Sequence, residues 1–163
     1  VAGVRPDGFD HGNSPHEMST ADVEGKTLIQ STRAGTVGMA AATNADEIYA
    51  GSFAIASATV EAVKRRNPEV VSIVAMGAAG LNRADEDEQC ALFLRNLLQG
   101  RAPEHDAVKS LVLAGDEAQK YSDPAQPHFH AEDRDRALDI DSYPFAIRVT
   151  REDGLLVARK LVL

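Results

Sequence analysis

Residues 69–77, EVVSIVAMG, form a continuous apolar run closed by a glycine, and no other stretch restricts the fold as much. An uninterrupted apolar run of this length, rich in Val and Ile, fits a strand buried on both faces of a parallel sheet. The loop AAGLNRAD follows, and then EDEQCALFLRNLLQG at 86–100. There Cys90, Phe93, Leu94, Leu97 and Leu98 fall three or four apart, giving a helical stripe stopped by Gly100. A strand followed by a helix predicts an α/β unit.

The rest of the chain extends this pattern. KTLIQST at 26–32 and DEIYAGS at 46–52 read as short strands. Residues 36–45 read as an Ala-rich helix. Residues 52–67 read as a helix with Phe53, Ala56, Val60 and Val63 on one face. A further helix is expected over 104–121, with Val108, Leu111, Val112 and Ala118 apolar. Residues 122–137 read as polar loop ending in a short helix. FAIRVT and LLVARKLVL, joined by REDG, predict a terminal strand pair. Residues 1–26 are rich in Gly and Pro and read as ordered loop, with a helical turn capped by Ser19 or Thr20. The expected fold is α/β: a layered α/β/α arrangement with a mainly parallel or mixed sheet and a terminal strand pair, in one domain over residues 1–163.

Composition narrows the function. With 17 Lys and Arg against 25 Asp and Glu, the formal net charge is -8, which argues against sequence-independent nucleic-acid binding. A local pocket on an acidic protein can still be positive, so a small anion is allowed. Cys90 is the only cysteine, so no intrachain disulfide forms, and a cytoplasmic location is expected. No apolar run reaches the length of about 18 residues that a membrane span needs.

Three motifs carry candidate chemistry. STRAGT at 31–36 lies between a predicted strand and a predicted helix, where free N–H groups favour an oxyanion. Gly35 lets the backbone approach a ligand, Thr32 and Thr36 offer hydroxyls, and Arg33 offers a forked cation suited to phosphate or sulfonate. The plain alternative is an ordinary turn capped by Thr36. DEDE at 85–88 opens the helix after the apolar run, where acidic residues are routine. Glu86, however, lies four residues before Cys90 and seven before Phe93, on the buried stripe. An inward carboxylate needs a partner, and magnesium takes one or two carboxylates together with substrate oxygens and water. The third motif is GFDHGNSPHE at 8–17, where Asp10, Asn13 and Ser14 can bond a ligand, a metal or their own backbone. His11 and His16 flank it as candidate acid or base. HFH at 128–130, followed by Glu132 and Asp133, has alternate histidines, but no second His or Cys cluster completes a zinc ligand set in the sequence. Cys90 reads as a packed core thiol.

Taken in order, GFDHGNSPHE, GKTLIQSTRAGT, ADEIYAGSFAIASA and EDEQCA resemble the 2-phosphosulfolactate phosphatase family, closely over residues 5–95 and more loosely beyond. Its members carry a GFD-x-GNSP stretch, a TTNGT-like loop after Gly-Lys, a Gly-Ser-hydrophobic-x-x-Ala-Ser-Ala helix start and an acidic Glu-Asp helix start. The resemblance implies a magnesium-dependent phosphatase with an α/β fold. Such an enzyme hydrolyses the phosphate monoester of 2-phospho-3-sulfolactate or a related small 2-hydroxy acid, a step of coenzyme M biosynthesis. It places Asp10 and Ser14 as candidate catalytic groups, and Asn13, Thr32, Arg33, Gly35 and Thr36 around the substrate. Glu86 and Asp87 become Mg²⁺ ligands. The loop departs from the family pattern, with Arg33 and Ala34 replacing a hydroxyl and an amide. Family members also begin with Asp-Val-Leu-Arg-like and Gly-Glu-Arg-like stretches that this sequence lacks, so it is expected to be the C-terminal two-thirds of a longer phosphatase. The competing reading is a non-catalytic module binding an anionic metabolite, or a degenerate family member. A homodimer is the expected assembly if a sheet edge is left exposed.

Overall fold

The computed structural model describes residues 3–78 and 80–163. Its helices are α1 (Pro15–Met18), α2 (Gly35–Ala41), α3 (Ala56–Arg65), α4 (Asp85–Leu98), α5 (His105–Leu113), α6 (Asp116–Gln119) and α7 (Ala131–Ala137). Short 3-10 turns cover Phe53–Ile55 and Lys120–Ser122. The strands β1 (Ile48–Ala50), β2 (Phe145–Glu152) and β3 (Leu155–Val162) form one antiparallel sheet in the order β1-β2-β3.

The core is built where the helical stripes meet. Phe53 of the first 3-10 turn and Ala56 and Val60 of α3 pack with Phe93 and Leu94 of α4, Val112 of α5 and Leu138. Phe93 is almost wholly buried and meets Phe53 edge to face at 5.6 Å. Cys90, Leu97 and Leu98 line the same cluster, as the spacing predicts. Asp141 caps the start of α3 from a distance. Its carboxylate accepts from Ser57 N and Ser57 Oγ, both at 2.6 Å, and its own N–H donates to Phe53 O.

The terminal strand pair is present with the register Phe145↔Val162 to Glu152↔Leu155. Asp153 and Gly154 close it with φ of 48° and 81°, the two positive values that a type I′ hairpin turn requires. β2 is the central strand and packs against α3, burying Ala146 and Val149. Arg151 also donates to Ala40 O, tying α2 to this strand at 2.7 Å.

Several expectations are corrected. The sheet is antiparallel, and no parallel pair forms among the described residues. Residues 26–32 and 69–76 are not strands. A strand needs a neighbour to receive its N–H and C=O groups, and among the described residues neither segment pairs with β1, β2 or β3. The apolar run is therefore not buried on two faces. Val70 and Val74 are more than two-thirds exposed, Ile29 is 93% exposed, and from 69–76 Ile73 packs onto the core. The helix expected over 104–121 breaks at Gly115. A Cβ there would stand 3.2 Å from Asp85 Oδ2, so the backbone passes tight against the first turn of α4. The helical turn near the N-terminus is capped by Ser14; Ser19 closes it instead. No helix among the described residues is long and apolar enough to cross a membrane.

Candidate functional site

Helix α1 is specified by its first residues. Ser14 at the N-cap accepts from Glu17 N at 3.1 Å, and Pro15 at the first helical position has no N–H to leave unpaired. Ser14 is buried and its hydroxyl donates to Asp133 Oδ1 at 2.9 Å, a carboxylate that also accepts from His16 N at 2.7 Å. One buried acid from α7 thus fixes the first motif to the far end of the chain. Replacing Ser14 by Ala removes a cap and one donor to a buried carboxylate. We expect Ser14→Ala to lower stability by about 1–2 kcal/mol in urea unfolding, with Ser14→Thr recovering most of it.

The STRAGT turn is rigid by the same kind of bonding. Thr36 N donates to Thr32 Oγ1 and Thr32 N donates to Thr36 Oγ1, both at 3.0 Å, while Thr36 Oγ1 donates to Thr32 O at 2.9 Å. These hydroxyls hold the turn itself. A Cβ at Gly35 would make only an ordinary contact with Thr32 Oγ1, at 3.7 Å. Arg33 is exposed, and no hydrogen bond or ion pair from the described residues holds its guanidinium.

The acidic helix tip divides its roles. Asp87 Oδ2 accepts from Gly77 N at 2.6 Å, joining α4 to the end of the apolar run. Glu88 takes Arg83 in a two-pronged pair at 2.9 and 2.7 Å. Glu86 turns inward as its spacing predicts, and its Oε2 is buried with no hydrogen-bond partner. Burial pushes its carboxyl above the ordinary range; Asp87 and Glu117 add to the rise and Lys120 opposes it. Burial likewise pushes the Cys90 thiol up to about 12, so it stays protonated and unreactive.

Contacts join the first motif to the second and the second to the third. Gln30 Nε2 donates to Asn13 Oδ1 at 3.3 Å, joining the first motif to the segment leading into the second. A Cβ at Gly38 in α2 would overlap Met76 Sδ, and Met76 precedes the Gly77 held by Asp87, so the second motif's helix lies against the third's anchor. Tyr121 lies near Glu86 of the third motif and near Asp133, the acid that holds Ser14 of the first. Burial raises its phenol, and the charges of Asp133 and Glu86 both act on it. Asp10 and Asn13 are exposed, and the Asp10 carbonyl accepts from Arg5 at 2.9 Å. Two surface clefts of about 410 and 550 Å³ lie elsewhere, one along α3 around Val60 and Leu97, the other around Lys109 and Leu138; neither is lined by a predicted site residue. Sequence reasoning missed the anchoring role of Asp133. The acidic run after HFH is visible, but its partner Ser14 lies 119 residues away.

Comparison with known proteins agrees with this pattern. The chain is 32% identical over 135 residues to the probable 2-phosphosulfolactate phosphatase of Bacillus subtilis (strain 168), covering 80% of this chain and 57% of that protein. It is 35% identical over 112 residues to the protein of the same description from Clostridium acetobutylicum, covering 69% and 47%. With the Thermosynechococcus vestitus relative it shares 33% over 115 residues, covering 71% and 46%. The chain thus spans about half the length of these curated relatives. No solved structure gives a significant match. The family model for 2-phosphosulpholactate phosphatase matches residues 1–139, most of the chain and all three motifs, and the chain belongs to that family.

Proposed function

We propose that this chain carries the catalytic surface of a phosphatase acting on 2-phospho-3-sulfolactate or a related phosphorylated 2-hydroxy acid. The observation that carries the reading is Glu86, whose buried carboxylate oxygen has no partner at the tip of the helix that the family motif opens. A buried, unpaired acid is costly, and a hard cation is the partner that suits it. Glu86 and Asp87 would hold Mg²⁺, which when bound supplies charge neutralisation at the phosphate oxygens.

The chain's own groups do the rest. Arg33, unpaired and exposed, offers two parallel N–H donors to a phosphate or sulfonate. The Thr32–Thr36 bonds keep the turn fixed so that Arg33 and the Gly35 backbone are presented without reorganisation. Asn13 adds a side-chain amide beside Gln30. Asp10 and Ser14 are the groups assigned to the reacting centre. The Ser14 hydroxyl already donates to a carboxylate, which is the acceptor needed to take its proton. Hydrolysis transfers the phosphoryl group to water, leaving the free hydroxy acid and inorganic phosphate.

The test is phosphate release by this chain from 2-phospho-3-sulfolactate, phosphoglycolate and p-nitrophenyl phosphate, with and without Mg²⁺. Release that needs Mg²⁺ and favours the acidic esters is the expected result. Arg33→Lys should raise KM about 10-fold for the acidic esters with less change for p-nitrophenyl phosphate, because a point charge replaces a two-pronged one. No release from any ester above the blank would favour the second reading, a module that binds anionic metabolites without turnover.

A further inference from the structure

In the sequence the HFH stretch has no second cluster to complete a metal site; in the fold it acquires one. His16 of α1 and His130 at the N-cap of α7 come together, with ring centroids 5.1 Å apart. Glu132 joins them, and one candidate ligand atom from each of the three residues lies within 4.8 Å of the others. We propose that His16, His130 and Glu132 form a site for a first-row transition-metal dication, typified by Zn²⁺, with one coordination position left open. This site shares no residue with the Glu86 and Asp87 pair and does not depend on the phosphatase reading.

Four features support it. The first is composition: two imidazoles and a carboxylate suit Zn²⁺ and its neighbours, whereas Mg²⁺ prefers oxygen ligands throughout. The second is reach. Ligand atoms bound at about 2.0–2.2 Å lie roughly 3.4 Å apart around a tetrahedral ion, so modest side-chain rotations close the observed spacing. The third is an unmet need. His16 Nδ1 is buried and has no hydrogen-bond partner, a loss that a metal bond would remove. The fourth is support around the ligands. Glu17 Oε1 stands 3.1 Å from His130 Nε2, as carboxylates do when they orient a metal-binding imidazole. Asp133 fixes the His16 backbone at 2.7 Å. Glu132 is exposed, which gives an ion a way in. Three protein ligands leave a fourth position for water or an anion oxygen, as in zinc sites with two histidines and one glutamate.

The test is metal binding by the chelator-stripped chain, followed by titration calorimetry with Zn²⁺ and by the visible d–d absorption of Co²⁺. One ion per chain is expected, with Co²⁺ bands of a nitrogen-containing, low-coordinate site, and Mg²⁺ in large excess should not displace it. His16→Ala and His130→Ala should each abolish the saturable binding. Glu17→Gln should weaken it about 10- to 100-fold, and His11→Ala should leave it unchanged. Far-UV circular dichroism checks folding; if His16→Ala is unfolded, His130→Gln on the helix cap decides. The proposal is overturned if wild type takes up no Zn²⁺ or Co²⁺, if folded His130→Gln binds as tightly as wild type, or if Mg²⁺ competes at similar concentrations.

Discussion

Glu86→Gln should cut phosphate release by about 10²–10³-fold while raising the thermal midpoint of the metal-free chain. The two effects share one cause. Glu86 is held inside with a carboxylate oxygen that no residue satisfies. Burial keeps its proton on to a higher pH in the folded state than in the unfolded chain. For an acid shifted in that direction, stability is full below the unfolded pKa of about 4.3 and falls as pH rises through the folded value. Above that range the charged group weakens the metal-free fold, and glutamine, which has no proton to lose, removes that penalty. Thermal melts of wild type and Glu86→Gln should coincide near pH 4 and separate as pH rises, with the variant higher. Saturating Mg²⁺ should narrow the gap from the wild-type side. Equal melts at pH 8, or undiminished turnover, would take Glu86 out of the site.

Gly77→Ala should destabilise the chain by about 2–4 kcal/mol, measured by chemical denaturation. Gly77 has a φ of 64°, and a Cβ there would lie 2.0 Å from the carbonyl oxygen of Asn82. That carbonyl is already committed, accepting from Ala78 N at 2.9 Å in a small bridged turn. Gly77 N also donates to Asp87. The substitution forces the turn open and draws the backbone away from the α4 tip, so stability and the placement of Asp87 are lost together. A glycine such as Gly25, which has similar φ but open space around it, should tolerate Ala far better.

What could be read from the sequence was what is decided locally. The α4 stripe from Cys90 to Leu98 is a matter of spacing within one helix, and the REDG turn carries its own backbone requirement. Ser14-Pro15 with Glu17 three residues after the serine is also a local helix-start signal, and it outweighs the competing cap candidates Ser19 and Thr20. What failed was whatever needed a distant partner. The run at 69–77 has strand character, but the ladder that makes a strand comes from another segment, and none of the described strands pairs with it. The break at Gly115 falls where the backbone passes close to Asp85 of another helix. Within the candidate site, the inward turn of Glu86 was legible from its place on the stripe. The bond from Ser14 to Asp133 and the meeting of His16 with His130 were not, because each joins residues more than a hundred positions apart.

The exposed valines have a further consequence. Residues 70–75 carry no charge and no proline, and four of the six are Val or Ile. Such a window, lying open, is a template on which identical chains can stack into cross-β assemblies. Asn67, Pro68 and Glu69 stand immediately ahead of it as gatekeepers, and the surplus of negative charge keeps molecules apart. Electrostatic repulsion is then the main guard of this chain: concentrated salt, or acid that protonates the surface carboxylates, is expected to raise its light scattering.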